Sequence, residues 1–252
     1  YTANQKSEPA SIHLNLFDPM TIANTTFLHF NDVYNVEQAA PFVASVKNTR
    51  KDLLGTMEKT RGQVITVFSG DAFSPSLMSV VLRGEQMVPV LNAIDIDVAC
   101  LGNHDLDFGI EEFRALKDKC NFPWLCSNAQ DAKLKEPLGG CHEYFVLDKR
   151  GEGGAKILFF GLVEADWFEI MPTLGHKDVL FEPPPEYVKR RIPELNAEHG
   201  PFDSIVALTH MRMPNDIALA HKAGSSAQGM DCGGIDLILG GHDHHYEDII
   251  EN

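Results

Sequence analysis

No two of the five cysteines, Cys100, Cys120, Cys126, Cys141 and Cys232, are spaced as Cys-x-x-Cys, which excludes the common zinc-ribbon and thioredoxin-type signatures. An odd count cannot be fully paired within one chain, so a disulfide framework is not expected, with room left for one or two bridges. Cys100, inside an apolar run, reads as a small core residue. Apolar stretches of bilayer-spanning length are missing too; the longest are strand-sized, so no membrane span is expected. Positive charge is scarce: 21 Lys and Arg stand against 36 Asp and Glu, a formal net charge of −15. That deficit argues against a broad electrostatic grip on polymeric nucleic acid. A small phosphorylated substrate is not excluded, because bound cations reverse the sign locally. Internal repeats and low-complexity tracts are also absent. The chain opens at Tyr1 with neither an initiator Met nor a signal-like apolar segment, as a processed or trimmed chain does.

What is present suits one large α/β domain: 252 residues, 44% hydrophobic and 23% charged. Residues 1–22 are polar and read as an irregular arm or linker, leaving 23–252 as the folded domain. Strands are expected around 25–30, 63–68, 96–101, 123–127, 203–208 and 235–239. Helices are expected over 36–54, ending before Gly55, over 76–94 with a break near Gly84, and over 110–119, 185–198 and 214–222. The segments HEYFVLDK and KILFFGLVEA, joined by Gly-rich RGEGG, read as an antiparallel hairpin, and the proline-containing stretch 171–184 as a loop. Alternating strands and helices predict a mixed-sheet α/β sandwich with helices on its outer faces and a site at the strand C-termini.

Five apolar runs each stop on residues that ligate metals: TFLHFND at Asp32, VITVFSGD at Asp71, VACLGNHD at Asn103 and His104, IVALTH at His210, and LILGGHDH at His242 and His244. Taken singly, each is weak, since a Gly-Asp after a strand is usually only a turn. His-x-His on an extended segment is stronger, because both rings fall on one face. Carboxylates, an amide and imidazoles gathered at five strand ends are the donor set of a two-cation centre, in which paired ions clamp the attacking and leaving oxygens. In this reading Asp71 is the shared carboxylate, Asn103, His210 and His242 complete one shell, and Asp32 and His244 serve the other. Such shells accept Mn, Zn, Fe or Mg.

The motifs Asn31-Asp32, Gly70-Asp71, Gly102-Asn103-His104-Asp105, Thr209-His210 and Gly241-His242-Asp243-His244 resemble those of the calcineurin-like metallophosphoesterases, and LHFND and GNHDLDFG resemble the 5'-nucleotidase branch. The resemblance covers about residues 26 to 246. It implies a four-layer sandwich, two divalent ions, and a small phosphorylated substrate such as a nucleotide. It also implies a dyad of His104, stabilising charge on the phosphoryl group or assisting the leaving group, and Asp107, orienting that imidazole. The residues alone leave Asp107 open as a cap for the helix near Ile110. His29 is expected to pack or to lie behind the ligands, and His13, His142, His176, His199 and His221 to be structural or surface residues.

Two departures from the family pattern stand out. Its first motif is Asp-x-His, and here it reads Asp32-Val33-Tyr34. A phenol with an ordinary pKa of about 10 is a poor ligand at neutral pH. A weakened or water-completed first site is therefore expected, in preference to a tyrosinate on a trivalent ion. The branch also carries further strands and commonly a second domain after Gly-His-x-His, whereas this chain stops at Asn252, so the catalytic domain is expected to be incomplete at its C-terminus. The leading reading is a metal-dependent phosphomonoesterase of 5'-nucleotidase type. The alternatives are a binding or scaffold protein with little turnover and, behind it, a nuclease.

Overall fold

The computed structural model describes residues 10–18, 21–57, 62–171, 174–225 and 233–250. Eleven strands and seven α-helices follow one another among them. The first half contains β1 (Ala10–Asp18), β2 (Thr21–Phe30), α1 (Ala39–Met57), β3 (Gln63–Phe68), α2 (Leu77–Leu82), α3 (Val88–Ile94), β4 (Val98–Cys100), α4 (Ile110–Lys117), β5 (Trp124–Leu125) and β6 (Ala129–Asp131). The second half contains β7 (Tyr144–Asp148), β8 (Lys156–Val163), α5 (Trp167–Ile170), β9 (Val179–Phe181), α6 (Pro184–His199), β10 (Ser204–His210), α7 (Met213–Ala223) and β11 (Leu237–Gly241).

The strands form two main sheets, ordered β1-β2-β3-β4-β5 and β11-β10-β8-β7, with β6 and β9 as a separate pair. In each main sheet the interior pairings are parallel and one edge strand is antiparallel: β1 on the first, β7 on the second. Alternation along the strands sets the layers. Phe27, Ile65, Val67 and Val98 meet Ile157, Phe159, Val206 and Leu208 between the sheets. The opposite face of the first sheet, with Leu28, Val64 and Phe68, packs on Leu91, Ile94 and Phe113 of α3 and α4. That of the second, with Leu158, Phe160 and Ala207, packs on Val188, Ile192 and Leu219 of α6 and α7. Helix, sheet, sheet, helix is the expected four-layer mixed sandwich.

Most elements fall where the apolar periodicity puts them, and three differ. Residues 10–18, within the segment expected to be an irregular arm, form β1; the sequence Ser-Ile-His-Leu-Asn-Leu alternates with period two, the pattern of a half-covered strand. Helix α1 runs through Gly55 to Met57, so that glycine does not end it. Within the expected loop 171–184, β9 pairs antiparallel with β6. Cys100, Cys120, Cys126 and Cys141 are free thiols, and Cys232 lies outside the described residues. No helix of the described residues is long and apolar enough to cross a membrane.

Candidate metal centre

Every parallel strand of both main sheets ends at the same edge, and the polar residues past β2, β3, β4, β10 and β11 converge there. The turns that carry them are tight. Gly70, at φ +90°, sits so close to the neighbouring turn that a Cβ would lie 2.8 Å from the Gly102 backbone and 2.7 Å from His210 Nδ1. A Cβ on Gly102 would strike the Asp71 carboxylate. Any side chain at either glycine would thus push the β3 and β4 turns apart. Four of the ligand candidates, Asp32, Asp71, His242 and His244, hold φ values of +54°, +64°, +85° and +52°. Left-handed backbone at non-glycine residues costs roughly 1–3 kcal/mol each and gathers at functional sites.

Asp71 is the hub. Its carboxylate is buried, Oδ1 accepts the His104 N–H at 2.8 Å, and Oδ2 lies 3.1 Å from His210 Nε2. Ligand atoms of Asp71, His210 and His242 all lie within 4.8 Å of one another. His210 gives its Nδ1–H to the Ser69 carbonyl at 2.6 Å, which turns Nε2 inward. In the neutral ring that buried nitrogen carries no proton and has no donor partner among the described residues. A buried ring nitrogen left over between a carboxylate and a second imidazole is what a cation site requires, so the residues fit divalent metal. His242 Nδ1 faces Asn103 Oδ1 at 2.9 Å, which brings the fourth expected member of this shell alongside the other three.

The other half is looser. Asp32 Oδ2 accepts the His242 N–H at 3.1 Å, and Asp32 Oδ1 is 3.0 Å from His244 Nε2. Tyr34 stands beside them. Its ring lies 6.4 Å from that of His244, tilted by 39°, and burial together with the Asp32 and Asp71 charges raises its phenol above the ordinary value. The dyad stands beside Asp71: His104 Nδ1 is 2.9 Å from Asp107 Oδ2, a bond that raises the imidazole above its usual pKa. The N-cap of α4 is Gly109, so Asp107 is bound to His104 and is not the cap of that helix.

Burial works against charge on both members of the central pair, but each offsets this for the other. His210 holds Asp71 below the ordinary carboxylate range, and Asp71 raises His210 to about 9. Partial burial and the neighbouring His210 charge lower His242.

Three participants were not assigned a role from sequence. Asp105 lies inside the Gly-Asn-His-Asp motif, yet it points away from the ligands. It accepts the N–H groups of Asp71 at 3.0 Å, Ala72 at 2.7 Å, Phe73 at 3.2 Å and Gly102 at 2.9 Å, lashing the β3 turn to the β4 turn. Ser69 takes His210 on its carbonyl, while its hydroxyl bridges His29 Nε2 and the Leu239 carbonyl, so His29 lies behind the ligands. Glu164, just past β8, makes a sixth strand end that carries a polar group, legible in KILFFGLVEA only once β8 is known to run parallel to β10.

The sequence matches the calcineurin-like phosphoesterase family over residues 25–246. The trifunctional nucleotide phosphoesterase protein YfkN of Bacillus subtilis (strain 168) is 26% identical over 258 residues, 90% of this chain and 16% of that protein. The 5'-nucleotidase of Bos taurus is 24% identical over 234 residues, 88% of this chain and 38% of the relative. The chain therefore spans well under half the length of both. The crystal structure of a 5'-nucleotidase precursor from Thermus thermophilus shares the fold, with a TM-score of 0.60 and 24% identity over 77% of this chain and 35% of that one. The chain belongs to the calcineurin-like phosphoesterase family, and its similarities fall in the 5'-nucleotidase branch.

Proposed function

We propose that this chain hydrolyses phosphomonoesters of small molecules, 5'-nucleotides among them, with two divalent cations as cofactors. The observation that carries the reading is the join between the two parts of the site: the Asp71 carboxylate that faces His210 also accepts the backbone N–H of His104. Divalent ions in such a centre supply Lewis-acid polarisation of a phosphoryl oxygen and a water acidic enough to act as nucleophile near neutrality. Asp71, Asn103, His210 and His242 would hold one, and Asp32 and His244, with Asp71 shared, the other.

The protein's own contribution is positional. Asp107 fixes Nδ1 of His104, leaving Nε2 directed away from the pair and able to carry a proton toward a phosphoryl or leaving-group oxygen. Ser69 fixes the tautomer of His210, so its free nitrogen always faces Asp71. With a net charge of −15, the chain attracts a phosphate dianion only where these cations sit, which favours compact phosphorylated molecules over polymeric nucleic acid. The nucleotide assignment draws on the relatives named above.

An aryl phosphate and a nucleoside 5'-monophosphate, each assayed with Mn²⁺, Mg²⁺ or Zn²⁺, test the reading. Turnover that disappears in Asp71→Asn supports it. Absence of turnover with every metal and ester overturns it in favour of a binding protein, the reading that Tyr34 at a ligand position also suggests.

A further inference from the structure

Glu164 is buried, only 4% exposed, and plays no part in the mechanism above. It follows the C-terminal end of β8, the strand paired in parallel with β10, which delivers His210. Its two oxygens are used unequally. Oε2 accepts the Arg212 backbone N–H at 3.1 Å and the Asn215 Nδ2–H at 2.5 Å. Oε1 takes the Arg212 Nε–H at 3.0 Å and lies 3.8 Å from Nε2 of His242. Arg212 is braced in turn by Asp166. Three donors thus pin the carboxylate, two on Oε2 and the Arg212 Nε–H on Oε1 and, at 3.3 Å, on Oε2 as well, and the less occupied Oε1 faces the outer nitrogen of a candidate ligand.

We infer that Glu164 is a positioning residue for the metal centre: its carboxylate, 3.8 Å from His242 Nε2, favours the tautomer protonated on that nitrogen, so that Nδ1, which in the metal-free chain faces Asn103 Oδ1, is released to the cation. The inference rests on the metal-centre reading. An imidazole that gives Nδ1 to an ion must carry its proton on Nε2, and a carboxylate on that outer nitrogen fixes the tautomer and strengthens the donor. Ser69 does the same for His210 from the opposite ring atom. The two histidines, 5.1 Å apart between ring centroids, are then held by unlike partners, a neutral carbonyl and a charged carboxylate. Arg212, just past β10, and Asn215, in the first turn of α7, keep that carboxylate from turning away.

The test is Mn²⁺ titration of the full chain by calorimetry. Glu164→Gln is expected to weaken Mn²⁺ binding by about 10–100-fold, the usual effect of losing such an outer partner, and to do so only while His242 is present. In a His242→Ala background the same substitution should change nothing. Should Glu164→Gln fail to fold, Glu164→Asp keeps the charge for Arg212 but withdraws the oxygen from His242, and the same fall is expected. Wild-type affinity in the folded variant, or an equal fall with and without His242, overturns the inference and leaves the metal-centre reading intact. A wild-type chain that binds no Mn²⁺ overturns both.

Discussion

His210 Nε2 lies 3.1 Å from Asp71 Oδ2 in the buried floor of the centre, a distance at which the two are bonded only when the ring is charged. With Nδ1 already donating to Ser69, a proton on Nε2 exists only in the charged ring, which Asp71 favours and which raises His210 from its ordinary 6.5 to about 9. A histidine raised on folding stabilises the metal-free protein below its unfolded pKa, and that contribution is lost as pH climbs through about 9. The cation competes with this proton. Apparent Mn²⁺ affinity should therefore rise between pH 6.5 and 9, by up to about one decade per pH unit, while the metal-free chain loses stability over the same range. Affinity that is flat across this window would remove His210 from the shell.

Asp105 accepts four backbone N–H groups, two on each oxygen. Burial and the nearby Asp71 charge push its carboxyl up to about 7, and the Ala72, Gly102 and Asp71 donors pull the other way, since only the ionised group offers acceptors to all of them. In Asp105→Asn one oxygen becomes an NH₂ that faces two N–H donors. Leaving those buried donors unpaired should cost about 2–4 kcal/mol of stability, read by urea denaturation. Because the same bonds hold the turns bearing Asp71 and Asn103, weaker Mn²⁺ binding should accompany the loss. A variant as stable as wild type would contradict the clamp.

For the dyad, His104→Ala should lower kcat by about 10²–10⁴-fold, the range for loss of a general acid or base. The bond from Asp107 raises the imidazole, so the protonated ring persists to higher pH than a free histidine. Asp107→Asn should then move the alkaline limb of the kcat profile toward acid with a smaller fall in the maximum. An unmoved limb would show that Asp107 does not act through His104.

The polar strand ends were legible because β2, β3, β4, β10 and β11 are short apolar runs that stop abruptly on Asp, Asn or His, and parallel strands bring such ends to one edge. Residues whose importance comes from neighbours were not. Asp105 looks like one more acid of its motif until the β3 turn folds over it, and Glu164 gains meaning only from Arg212 and His242, which lie 48 and 78 positions on. The same holds for architecture. The layers followed from periodicity, whereas β6 and β9 are three-residue strands joined by pairing across about 50 residues, a contact that no local pattern encodes. Strand β1 was missed for a different reason: its alternation is regular, but the polar residues between its apolar ones resembled a linker.

Tyr34 offers the sharpest test of the unequal halves. The first half-site has Asp32 and His244, already 3.0 Å apart, and beside them a phenol whose ring stands 6.4 Å from the imidazole. Burial and two carboxylates keep that phenol protonated, so it adds no donor of the kind an imidazole would. The second half-site has a carboxylate, an amide and two imidazoles within reach of one point. One Mn²⁺ should therefore bind tightly and a second more weakly. Tyr34→His supplies the absent donor at the end of the Asp32 turn and should tighten the weaker ion by tenfold or more, about 1.4 kcal/mol, with the tight ion unchanged. Calorimetric titration of the two proteins resolves the steps. Two ions bound equally tightly by the wild type, accompanied by phenolate charge-transfer absorbance, would instead make Tyr34 a ligand in its own right.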